Sequence, residues 1–234
     1  MNPRRTAHPI PAFRALLAVL AILTLGVSCG LSTGDIESSK EVGIREEAPA
    51  SIESLRIEVR AGRLTLQTGD ANSRRIEVEG ELVVNGRDEA EAAQRTERLD
   101  LTLTTEGEEA VLAFSAPKNG NPRAEVTVTL PPDVDLDLRM GAGTIESRLD
   151  LPASTSIELA AGDILILLAA DASARVEAGA VAGEVQVEGL DTSGPVERQI
   201  AGARFVGTIG DPSKAEGHEL LVRSSAGRIR MTRR

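Results

Sequence analysis

The stretch Ser156–Leu167 reads SIELAAGDILIL. Ile157 and Leu159 alternate with polar residues, an Ala-Gly pair interrupts, and apolar residues resume at Ile164. Alternation with period two marks a strand with one buried face, so the phrase spells strand, corner, strand. It recurs along the chain. Ala-Gly pairs end at Gly62, Gly143, Gly162, Gly183, Gly202 and Gly227, and the last five follow one another at intervals of 19, 21, 19 and 25. A period near 20 predicts an all-β fold of the β-solenoid kind, in which one coil stacks on the next. Glycine supplies the backbone angles of each corner, and alanine is expected to keep the inside of the corner small. The final coil, ending in RMTRR, is expected to cap the stack with charge.

Upstream, SLRIEVR, GRLTLQT, RRIEVEGELVV, LDLTLTT, AEVTVTL and VDLDLRM alternate in the same way. Residues 51 to about 130 carry longer strands and Asn-Gly turns, at Asn85-Gly86 and Asn119-Gly120, and read as sandwich-like. Only Arg87–Arg98, RDEAEAAQRTER, has helix-favouring composition, enough for a loop or a two-turn surface helix.

The chain has 234 residues, no Trp, no Tyr and three Phe, so its core is built from Leu, Val, Ile and Ala. Lys and Arg number 26 against 36 Asp and Glu, a net charge of −10. Positions 1–28 hold Arg4, Arg5 and Arg14 and no acid, so the remainder carries −13. A body this acidic argues against nucleic acid as a partner, because phosphate binding needs a basic surface.

The N-terminus reads as an address. Its three arginines all precede Ala15–Val27, an unbroken apolar run. That is the layout of a signal peptide, and the run falls short of the ~20 residues that span a bilayer. The single cysteine, Cys29, follows almost at once, and one cysteine allows no intramolecular disulfide. The segment resembles a bacterial lipoprotein signal, in which that cysteine is acylated and becomes the new N-terminus. Val27 and Ser28 fit the pattern, while Gly26 stands where leucine is usual. An ordinary secretory signal with an incidental cysteine is the alternative. The expected organisation is signal peptide over 1–28, lipid-anchored flexible tether over 29–50, and β-solenoid domain over 51–234.

VTVTLPPDVDLDLRMGAGTIES, followed by SIELAAGDI and VAGEVQV, resembles the bacterial putative-adhesin family of β-solenoid domains, relatives of the head-GIN adhesin-like domains. The resemblance runs over about 52–234 and is best from Glu125 onward; IAGARFVGTIGDPSKAEGHELL departs from it. It implies an exported, often lipid-anchored β protein and brings no catalytic residues.

Residues with reactive chemistry are scarce. Beyond Cys29 the chain holds one histidine, His218, so His/Cys metal sites and Cys–His catalysis are not expected. Asp133, Asp135 and Asp137 share a strand face, but Leu138 and Thr144 stand where an EF-hand loop needs Gly and Glu. No cofactor is expected. The one basic cluster is Arg223, Arg228, Arg230, Arg233 and Arg234, candidates for contact with anionic lipid or an acidic envelope partner, or a solvated cap. The reading is a lipid-anchored, non-enzymatic envelope protein acting as an adhesin-like or structural interaction module. A periplasmic ligand- or partner-sensing module is the alternative, and a solenoid lyase or hydrolase is third.

Overall fold

The computed structural model describes residues 35–49 and 51–234, and the fold is all-β. Five long strands carry the repeat: β2 (Ser54–Thr68), β7 (Asp135–Arg148), β8 (Ser154–Leu168), β9 (Ala174–Glu188) and β13 (Glu219–Arg233). The remaining strands are β1 (Ile36–Glu47), β3 (Arg75–Gly86), β4 (Asp100–Glu106), β5 (Glu109–Ser115), β6 (Arg123–Leu130), β10 (Thr192–Ser193), β11 (Val196–Arg198) and β12 (Ala203–Ile209). One helix, α1 (Glu89–Thr96), is the two-turn element expected from composition, with Asp88 capping its N-terminus by accepting from the Glu91 N–H.

All these strands belong to one large mixed sheet. The five long strands pair in parallel and in register, so that Gly62, Gly143, Gly162, Gly227 and Gly183 lie side by side in one column. Each long strand bends at its glycine. Along β8, Thr155, Ile157 and Leu159 face the core before the corner, and Ile164, Ile166 and Leu168 face it afterwards. The inward residues therefore change parity across Gly162, and two arms of one strand cover the same core. Ranked across the strands, the inward columns are Ile57, Leu138, Ile157, Val222 and Ala178 before the corner, and Leu64, Ile145, Ile164, Ile229 and Val185 after it. Each fully buried Leu, Ile or Val contributes about 1.5–3 kcal/mol relative to exposure.

The glycines explain the corner. All five have φ between +128° and +149°, which L residues rarely adopt. A Cβ at Gly143, Gly162, Gly227 or Gly183 would also overlap the carbonyl oxygen of the glycine on the next strand. The alanines before them stack in a second column, and four of the five, at 142, 161, 182 and 226, are exposed. The expectation of alanine inside the corner is thus corrected: the parity change leaves two consecutive residues facing outward, and alanine is the second of them.

The strands do not stack in chain order. The ladder runs β2-β7-β8-β13-β9, so the C-terminal strand lies between β8 and β9 and caps nothing. Charge favours this order. Through β13, Arg228 stands between Asp163 of β8 and Glu184 of β9. Direct β8–β9 pairing in the same register would set those two acids side by side, and like charges directly opposite destabilise a sheet. Spacing agrees. The step from Gly162 to Gly183, which straddle β13, is two positions longer than the step from Gly143 to Gly162, which lie on adjacent strands. Two more extended residues add about 6.6 Å of reach, enough for an extra strand spacing of about 4.8 Å.

On the other side of β2 the sheet divides. The first arm of β2 pairs with β5 and hence β4, while the second pairs with β6, then β3, then β1. The segment expected as a tether is largely structured: from Ile36 to Glu47 it forms β1, antiparallel to β3 along its whole length. Val42 and Ile44 pack on the core and the Lys40 ammonium donates to Leu99 O at 3.1 Å. Charged residues on both sides of those two apolar positions hide the alternation in the sequence.

Candidate functional site

The outer face of the corner is a charge ladder. One column runs Glu58, Arg139, Glu158, Arg223 and Gly179. Arg139 lies 4.0 Å from Glu158, and Arg223 lies 3.9 Å from Glu158 and 3.8 Å from Glu177. Arg204 of β12 adds a pair with Glu177 at 3.2 Å. Arg139, Glu158, Glu177, Arg204 and Arg223 line, with Val181 and Gln199, an open groove of about 660 Å³ beneath the β11–β12 turn. Its three arginines outnumber its two glutamates by one, and each arginine has a glutamate within 4.0 Å.

A second groove, of about 640 Å³, lies at the opposite end of the corner beside Gly62. Arg60, Arg63, Lys118 and Arg123 line it, with Glu125 as the only acid among the described residues there. Arg123 is held by Glu37 at 2.7 Å and Glu125 at 3.0 Å, and these bonds raise its already high pKa. The turn carrying Lys118 has φ of +89° at Gly120 and +46° at Asn121, the latter the one non-glycine residue with positive φ among those described. The Asn85 N–H donates to Gly120 O at 2.7 Å and ties that turn to β3.

Five of the six repeat glycines come together, and Gly202 does not. It sits in the β11–β12 turn with ordinary φ, where a Cβ would overlap Ala180 O and Val181 O. Cys29 lies outside the described residues. The basic cluster is distributed along β13 rather than gathered as a free patch. Arg228 pairs with Glu184 at 3.8 Å, Arg230 with Glu188 at 2.7 Å, Arg233 with Asp191 at 3.7 Å, and Arg234 with Asp150. Asp137 pairs with Arg56 and Arg139, Asp133 with Arg74, and Asp135 accepts from the Ser154 N–H. His218 ends the loop before β13 with Nδ1 3.2 Å from Pro152 O.

Sequence reading passed over the second groove, although its signal is visible. The first repeat is RAGR, the one corner flanked by arginine on both sides; the others read GAGT, AAGD, VAGE and SAGR.

Among the described residues, no group of three or more His, Cys, Asp or Glu could hold a metal, and no helix is long and apolar enough to cross a membrane. Displaced titrations occur at surface contacts. Glu91 is drawn down to about 2, first by the hydrogen bond from the Arg87 side chain and then by the Arg87 N–H, and Asp211 is lowered by Ser213. What the site offers is ionic and hydrogen-bonding recognition along open grooves.

No family model matches the chain, and neither does any curated protein. Among solved structures, a "putative cell adhesion protein" from Clostridium sporogenes is similar over 86% of this chain and 100% of its own, with a TM-score of 0.51 and 14% identity. A "putative adhesin" from Bacteroides fragilis aligns over 83% and 97% of the two chains, at a TM-score of 0.25 and 8% identity. At so low an identity the Clostridium likeness is one of fold.

Proposed function

We propose that this chain is an exported, lipid-anchored envelope protein that works as an adhesin-like interaction module. The observation that carries the reading is the corner face, a continuous charged surface of stacked parallel strands with two open grooves. Binding through such a face requires extended contact with a surface, whereas catalysis requires groups converging on one point. The fold shared with the Clostridium protein supports the same direction. Cys29 is the attachment point and an anionic membrane the surface beneath it. The outer parts of Arg228, Arg230 and Arg233, each already opposite an acid, are the residues that would exchange partners with an anionic surface.

The test is intact mass and membrane fractionation of the expressed protein beside a Cys29→Ser variant. The proposal expects wild type in the membrane with acyl mass on an N-terminal Cys29, and the variant released. Wild type soluble and unacylated would refute the anchor.

A further inference from the structure

Most arginines of this protein sit against an acid, on both ends of the sheet and along the corner. Arg60, Arg63 and Lys118 depart from that rule together. All three are exposed, all three line the groove beside Gly62, and among the described residues none has a carboxylate within 4.0 Å. In a chain of net charge −10 such a gathering is a pronounced local excess. Three unpaired cations in one concavity repel one another, and the one acid of the groove, Glu125, is already engaged by Arg123.

We propose that this groove binds an anionic glycan, a sugar chain bearing carboxylates. This assignment rests on the adhesin-like reading and names its ligand class. Arg60 and Arg63 project from the two sides of one corner, because Ala61 and Gly62 between them mark the bend of β2. Lys118 faces them from the turn before β6. Cations spread along a groove meet charges spread along a chain, and guanidinium groups meet planar carboxylates through two parallel hydrogen bonds. Neutral sugars are usually gripped by aromatic faces, and this groove has none. Its volume is in the range that holds a ligand of a few rings.

The experiment measures binding of purified full-length protein to polygalacturonate, with dextran of matched length as the neutral probe. An R60E/R63E variant removes the groove's charge, and R175E/R198E makes the same charge change at exposed arginines outside it. The expected result is binding to polygalacturonate and not to dextran, at least tenfold weaker in R60E/R63E and within about threefold of wild type in R175E/R198E. Undetectable binding to polygalacturonate, equal binding to dextran, or equal losses in both variants would overturn the proposal. Because the assay uses purified protein, it succeeds or fails independently of Cys29 acylation. Failure of the anchor would appear only in the fractionation experiment.

Discussion

Replacing Gly162 with alanine should remove a large part of the stability of the sheet. Two costs add. The residue has φ +128°, and holding a non-glycine residue in such a region costs about 1–3 kcal/mol. Its new Cβ would also lie 1.8 Å from Gly143 O, more than 1 Å inside the 3.0 Å that real Cβ contacts respect. Relief requires β7 and β8 to part at the corner by about a quarter of their 4.7–4.9 Å spacing, with loss of about two ladder hydrogen bonds at about 0.5–1.5 kcal/mol each. The total is about 2–6 kcal/mol, against about 5–15 kcal/mol for a typical domain. Urea unfolding followed by far-UV circular dichroism reads it. Gly179→Ala is the control: that strand glycine has nothing within 4 Å of an added methyl and no left-handed backbone, so it should be neutral or gain up to about 1 kcal/mol. A Gly162→Ala loss below about 1 kcal/mol, or equal to that of Gly179→Ala, would refute the glycine-column account.

Other sites give independent tests. Thr155 is buried in an inward column and its Oγ1 has no partner, so Thr155→Val should stabilise by about 1–2 kcal/mol; a lowered Tm would contradict this. Phe205 is among the largest fully buried side chains, and Phe205→Ala should cost about 3–5 kcal/mol in urea unfolding, with a loss under about 1 kcal/mol as the contrary result. Glu91 has its carboxyl held near 2, so its interaction with Arg87 is intact above pH 4.5 and lost as pH falls towards 2. An NMR titration of its side-chain carboxyl should therefore show a midpoint near 2 and fraying of α1 over that window; a midpoint above 4 would contradict the contact. Ending the chain before Glu219 removes β13 from between β8 and β9, and proteolysis should then cut within 174–209 far faster than in the intact chain. Equal cleavage rates would count against β13 as the strand that holds β9 in place.

The corners were legible because left-handed backbone leaves a residue-type signature: a glycine between two alternations can be read without knowing what it touches. Strand order was less legible, since chain order is the default for a regular repeat and only two details resist it. One is the longer step from Gly162 to Gly183, and the other is the arginine-rich β13 facing acids on both neighbours. Both require the competing pairings to be compared, which periodicity alone does not do. Gly202 shares the Ala-Gly phrase yet closes a hairpin, because β12 runs antiparallel to β9 and leaves the ladder. The groove beside Gly62 is assembled from β2 and the turn before β6, which are distant in the chain, so only RAGR hinted at it.

The central claim is the ladder order β8-β13-β9, and engineered disulfides in a Cys29→Ser background test it directly. The outward alanine column places Ala161 beside Ala226, and Ala226 beside Ala182. Neighbouring strands lie about 4.8 Å apart, within disulfide reach, whereas Ala161 and Ala182 are two spacings apart, about 9.6 Å and beyond it. Oxidation followed by peptide mapping should link A161C to A226C and A226C to A182C, and leave A161C/A182C reduced. A ready A161C–A182C link, with A161C/A226C left reduced, would mean that the long strands pair in chain order and that the account is wrong.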